Sequence, residues 1–144
     1  AADFASFNDV ATYNGRPVRF YKRAQLLVSD LWGAYGGKGH GGFNDLDVLT
    51  AFADYKLPQL LRHHGVLAYA PDLAATVDAR EVILQGSLQE VEIRAATVQA
   101  CELLRDLLVA RGLPFRAFEV DWALWQQSQG MKMAPYHLTR SIYY

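Results

Sequence analysis

The chain has 144 residues, 51% of them apolar and 20% charged, with a formal net charge of -1. That length suits one domain with a real core, and the composition excludes a disordered chain. A pI near 6.5 argues against affinity built on a polyanionic duplex, and the single Cys101 excludes an intramolecular disulfide or a cysteine-based zinc site.

Ala1 to Arg19 forms a leading segment whose Asn14-Gly15-Arg16-Pro17 is a turn signal. Phe20 to Trp32 reads as a helix. Phe20, Ala24, Leu27, Val28, Leu31 and Trp32 share one face, while Lys22, Gln25 and Ser29 gather on the other. The glycine-rich run from Gly33 to Gly42 ends it. Gly-Lys within that run tempts a phosphate-loop reading, but no Ser or Thr follows Lys38 and no strand precedes it. A flexible connector is the better account.

Phe43 to Pro58 reads as a further helix. Asn44 or Asp45 can cap it, and Asp45 and Asp47 suit the positive end of its dipole. Leu46, Val48, Leu49, Phe52, Ala53 and Tyr55 occupy more than half its circumference. Asp47, Thr50 and Asp54 hold the rest, with Asp47 and Asp54 on one face. Periodicity alone gives an amphipathic helix with a solvated polar side.

Leu57 to Gly65 reads as a short helix with Pro58 in its first turn and Gly65 at its end. Adjacent His63 and His64 point in different directions, one expected inside and one outside, and make weak metal evidence. Pro71 to Val77 is another short helix. Ser87-Leu-Gln-Glu90 is a capping box that opens the longest helix, through about Arg111. Glu90 and Arg94 make a favourable surface pair there, and Cys101 a small core residue. A last helix starts near Glu119 with Asp121 as its N-cap, and Trp122 and Trp125 read as core. Gly130 to Pro135 is loop, and the aromatic tail from Tyr136 to Tyr144 is expected to dock. The expected fold class is all-α, a multi-helix single domain over 1–144. No apolar run reaches membrane-spanning length, no stretch reads as a signal peptide, and the cytosol is the expected compartment.

Four segments together resemble one family: Phe20-Tyr-Lys-Arg-Ala-Gln25 with Asp30-Leu-Trp32; Phe43 to Pro58; Val91-Glu-Ile-Arg-Ala-Ala-Thr97; and Asp121-Trp122 with Thr139-Arg-Ser-Ile-Tyr-Tyr144. The chain is similar to the queuosine salvage protein family, the queuosine 5′-phosphate N-glycosylases. The resemblance covers nearly the whole chain and implies an all-helical fold related to helix-hairpin-helix DNA glycosylases. It also implies hydrolysis of queuosine 5′-monophosphate to queuine and ribose 5-phosphate. Family members are longer, and this chain resembles their C-terminal half. A missing segment or an N-terminal companion chain is therefore expected.

Carried over from that resemblance, Asp54 is the catalytic carboxylate and Lys22 its basic partner. Asp47, His137, Arg140 and Tyr143 match family-like segments, and their roles follow only from chemistry. The base is a 7-deazapurine, with carbon where guanine carries nitrogen 7, so a common protonation site for expelling a purine is absent. A carboxylate beside the anomeric carbon can stabilise the oxocarbenium-like transition state. Arg140 and His137 are candidates for the 5′-phosphate. Asp47 or Asp45 can meet the cationic queuine amine, and Trp32, Phe43, Phe52 and Tyr55 can stack the base. No metal, organic cofactor, nucleic acid duplex or membrane partner is expected. The rival expectations are a related DNA or nucleotide glycosylase, and a non-catalytic helical partner subunit.

Overall fold

The structure, a computed structural model, describes residues 3–144. Two antiparallel strands, β1 (Val10–Tyr13) and β2 (Arg16–Arg19), come first. Helices α1 (Lys22–Ala34), α2 (Lys56–His63), α3 (Pro71–Asp78), α4 (Leu88–Ala110) and α5 (Ala117–Ser128) follow. The all-α expectation is thus corrected: the fold is mostly helical with a hairpin at its head. Asn14 and Gly15 take φ of 48° and 75°, the left-handed pair that a two-residue hairpin turn requires. The turn signal was visible, but Val10–Tyr13 and Arg16–Arg19 are too short to show a clear alternation. Hairpin residues Ala11, Tyr13 and Val18 pack on Phe20, Ala53 and Val91, and the Tyr13 hydroxyl donates to Glu92 at 2.7 Å.

The larger correction concerns the helix expected over Phe43 to Pro58. Only a 3-10 turn at Leu46–Val48 forms there, and α2 starts at Lys56. Between them the chain runs without helix through Ala51, Phe52, Ala53 and Asp54, all buried. Three of the backbone groups from Thr50 to Ala53 are met by side chains of three helices. Gln25 of α1 accepts the Thr50 N–H at 2.8 Å. Asp121 of α5 accepts the Phe52 N–H at 2.7 Å, and Arg94 of α4 donates to the Ala53 carbonyl at 2.9 Å. A buried segment with its polar groups met this way needs no helix of its own. Tertiary partners have overridden the local periodicity.

This segment is the axis of the molecule. Leu46 and Phe52 pack with Phe118, Trp32 and Trp122 between α1 and α5. Ala51 packs with Leu57, Leu61 and Cys101 between α2 and α4. Val77, Ile83 and Ile93 seat α3 against α4. The capping box opens α4 in altered form: Ser87 Oγ accepts the Glu90 N–H at 3.3 Å, while Glu90 Oε2 reaches the N–H of Gly86 at 3.0 Å. The tail docks: the Ile83 N–H donates to the Leu138 carbonyl at 2.8 Å. No helix among the described residues is long and apolar enough to cross a membrane.

Three smaller expectations also change. Glu90 and Arg94 are a buried pair rather than a surface one. Asp121 lies inside α5, whose N-cap is Arg116, held by its N–H to Glu119 Oε2 at 2.8 Å. His63 and His64 are both exposed, because α2 buries the opposite face carrying Leu57, Leu60 and Leu61.

Candidate active site

A cavity of about 790 Å³ opens between the start of α1, the buried segment, α5 and the tail. Lys22, Leu26, Asp30, Phe52, Asp54, Tyr55, Asp121, Trp122, Trp125, Gln126 and Tyr144 are among the residues lining it.

Lys22 is the first residue of α1. The chain enters that helix through Tyr21 with φ of 46°, a left-handed conformation unfavourable for a bulky side chain. Asp9 holds the turn. Its carbonyl accepts the N–H groups of Phe20 and Tyr21 at 3.0 and 3.1 Å, and its Oδ2 accepts the Lys22 N–H at 3.2 Å. That carboxylate also offsets the unfavourable placement of a cation at a helix N-terminus. Lys22 enters no ion pair among the described residues, and its side chain lines the cavity.

Asp54 ends the buried segment and starts α2. Its Oδ1 accepts the N–H groups of Lys56 and Leu57 at 2.8 and 3.1 Å. Asp54 is 8% exposed. Burial raises its pKa, opposed first by the Lys22 charge and then by those two amides. Asp121 projects from the buried stripe of α5. Burial, with Asp54 adding to it, pushes its pKa up to about 7 against the Phe52 N–H and Lys22. Two carboxylates and one ammonium therefore share a poorly solvated wall, the setting in which protonation is tuned for chemistry. The other walls are aromatic: Trp122 packs on Phe118 and Trp32, while Tyr55 and Trp125 stay largely exposed.

The cavity thus brings together Lys22, Asp54, Phe52 and Tyr55 of the residues proposed from sequence. The others lie elsewhere. Asp47 pairs with Arg116 at 2.8 Å on the surface, and Asp45 is exposed beside it. Trp32 and Phe43 pack into the α1–α5 core, with Trp32 and Trp122 ring centroids 6.1 Å apart. His137 is buried against Tyr144, its Nε2 3.3 Å from the hydroxyl, and burial lowers its pKa to about 4. Arg140 is exposed, and the Tyr143 N–H turns to Ser141 at 3.0 Å. None of these seven lines the cavity. Among the described residues no cluster of three or more His, Cys, Asp or Glu is arranged to hold a metal ion.

Asp121, Asp30, Trp125, Gln126 and Tyr144 line the cavity but were not read as site residues. Asp121 did leave a signal. Ala117, Val120, Leu124 and Ser128 mark the inward stripe of α5, and a carboxylate at 121 sits on it, where only a partner or a function keeps one. Arg94 leaves the same signal on the inward side of α4, among Val91, Val98 and Cys101.

A helical domain with a buried carboxylate pair and a lysine beside exposed aromatic rings has the features of a site for a planar, polar small molecule. The sequence model of the family described as Queuosine salvage protein matches residues 1–144, and the chain belongs to that family. It is 56% identical over 143 residues to the queuosine 5′-phosphate N-glycosylase/hydrolase of Sphaerobacter thermophilus, covering 98% of this chain and 44% of the relative. The protein of that name from Dictyostelium discoideum is 45% identical over 98% of this chain and 44% of its own length. The Mus musculus protein is 40% identical over 99% and 45%. The chain thus spans less than half the length of the curated relatives it matches.

Proposed function

We propose that this chain carries the reacting cavity of a queuosine 5′-phosphate N-glycosylase/hydrolase, cleaving the base–sugar bond to release queuine and ribose 5-phosphate. The observation that carries the reading is that Lys22 and Asp54, from different elements, line one cavity walled by Tyr55, Trp122 and Trp125. The names of the relatives support the substrate class.

Expelling the base leaves positive charge on the sugar. Asp54, fixed by two amides and withdrawn from water, is a preorganised negative charge for it and a base for the attacking water. Because its amide partners are already in place, little reorganisation accompanies the reaction. The Lys22 charge opposes the rise that burial imposes on the Asp54 pKa, in a site that otherwise disfavours charge. The exposed faces of Tyr55 and Trp125 offer stacking surface for the deazapurine. Asp30, exposed at the cavity edge, replaces Asp47 and Asp45 as the group for the queuine amine. The burial of Asp54, only 8% exposed, also disfavours the reading as a non-catalytic partner, for which an open, solvated carboxylate would suffice.

The test is direct. The protein, together with whatever further region its gene encodes, is incubated with queuosine 5′-monophosphate, and free queuine and ribose 5-phosphate are followed chromatographically. Equimolar release of both is expected, with guanosine 5′-monophosphate untouched. Absence of release, with the substrate shown to be intact and the protein folded, would reject the proposal.

A further inference from the structure

We propose that Asp121 is a second catalytic residue, the acid that hands a proton to the departing base while Asp54 faces the sugar. This rests on the glycosidic reading above and adds a role to it.

The two carboxylates are bonded differently. Asp54 accepts two amide hydrogens on one oxygen at the N-terminus of α2, an arrangement that favours the anion. Asp121 accepts one, from Phe52, on Oδ2. A protonated carboxyl meets that amide equally well, because its carbonyl oxygen accepts while the other oxygen carries the hydrogen. Asp121 is 4% exposed and lines the cavity, so Oδ1 is the oxygen left to reach a ligand there.

The charged and titratable groups around Asp121 pull in both directions, and burial with Asp54 outweighs the rest. From α1, the Lys22 charge opposes a proton on Asp121 and also draws Asp54 toward its anion, and Asp30 lines the same cavity. From the buried segment, Asp54 competes for negative charge and raises the affinity of Asp121 for its proton. From α4, Cys101 is a buried thiol pushed up to about 12 and stays neutral. Tyr55 and the Tyr144 phenol complete the set of cavity-lining groups. Of two carboxylates confined together, the less hydrogen-bonded keeps the proton.

The substrate needs such an acid. Lacking nitrogen 7, the base would leave as an anion unless another nitrogen or oxygen accepts a proton during departure. In the proposed step the bond from the anomeric carbon to the base breaks, and its electron pair stays with the base. The Asp121 proton passes to the base, so that neutral queuine leaves. Water adds to the anomeric carbon, and its proton goes to Asp54. Transfer of that proton back to Asp121 through solvent restores both groups, and no oxidant, reductant or further reactant is consumed.

Asp121→Asn tests the step in the complete protein, because the amide oxygen still accepts from Phe52 while the transferable proton is lost. We expect kcat for queuine release to fall about a hundredfold or more, with KM little changed. In the parent, kcat/KM is expected to fall as pH rises past about 7. In the variant that alkaline limb disappears. A folded variant that keeps the parent's alkaline limb, or keeps kcat within a few-fold, overturns the proposal. A merely structural Asp121 would lower the melting temperature and leave the limb in place. Should the variant fail to fold, the parent profile decides: a rate that stays flat from pH 6 to 9 sinks the acid role. A parent that releases no queuine rejects the functional reading itself, and this role with it.

Discussion

Asp9 and Arg94, one ahead of the hairpin and the other in the second turn of the longest helix, form a buried two-pronged ion pair. Arg94 Nη1 donates to Asp9 Oδ1 at 3.0 Å and Nη2 to Oδ2 at 2.5 Å. The same guanidinium meets Glu90 at 3.3 Å and lies between the rings of Phe20 and Tyr144, 4.0 and 4.7 Å from their centroids. The Tyr144 hydroxyl then returns to Glu90 at 2.9 Å. One side chain therefore ties the hairpin, the buried segment through Ala53, α4 and the tail together behind the cavity. Replacing it with an apolar group of similar length leaves two carboxylates unpaired. Arg94→Met should lower unfolding free energy by about 3–5 kcal/mol in denaturant titration. A loss below 1 kcal/mol would mean that the network does not hold the fold.

Asp30 offers a test of recognition separate from chemistry. If it meets the queuine amine at the cavity edge, Asp30→Asn should raise KM about fivefold, as expected of a solvent-screened pair worth ~1 kcal/mol. The change should vanish for a 7-deazaguanosine 5′-monophosphate lacking the amine. Equal effects on both substrates would remove Asp30 from amine recognition.

His137 should leave an acid signature in stability. Its pKa falls to about 4 in the folded chain, below the ordinary value near 6.5. The unfolded chain therefore binds the proton first. The stability it contributes is complete above about pH 6.5 and is lost as pH falls through 4. Asp121 acts the opposite way. Raised to about 7, it contributes stability that is complete below the ordinary carboxylate value and is lost as pH rises through about 7. The difference between parent and His137→Gln isolates the first effect. Melting temperature in the variant should fall less between pH 6.5 and 4 than in the parent. Parallel curves would show that His137 does not couple protonation to folding.

The elements that periodicity and capping define were legible. Residues 22–32, 71–77 and 88–110 all fall within helices whose ends the sequence marks with Gly, Pro or Ser. What failed were elements stabilised from outside themselves. The buried segment has a helical apolar pattern, yet Gln25, Arg94 and Asp121 supply its hydrogen bonds from far along the chain. The four-residue strands of the hairpin hold together by pairing with each other and by covering Phe20 and Val91. Neither long-range partner is visible in a local window.

The site divides along the same line. Lys22 and Asp54 came from family resemblance, and they line one cavity. No periodicity would have joined them, since each sits at the start of a helix facing a different neighbour. Asp47 looked equivalent to Asp54 on a helical wheel, but without that helix its partner is Arg116. Asp121 and Arg94 are charges on apolar stripes, and that misfit was readable without any structure.

The central claim is that Asp54 supplies the charge that makes base release possible. Asp54→Asn keeps the shape of the side chain and an oxygen for the Lys56 and Leu57 amides, so α2 should stay capped. The decisive measurement is kcat for queuine release from queuosine 5′-monophosphate by the complete protein, with thermal melting alongside. The account predicts a loss of about a hundredfold or more in kcat, KM within a few-fold of the parent and a folded variant. A folded Asp54→Asn protein that releases queuine at nearly the parent rate would contradict it.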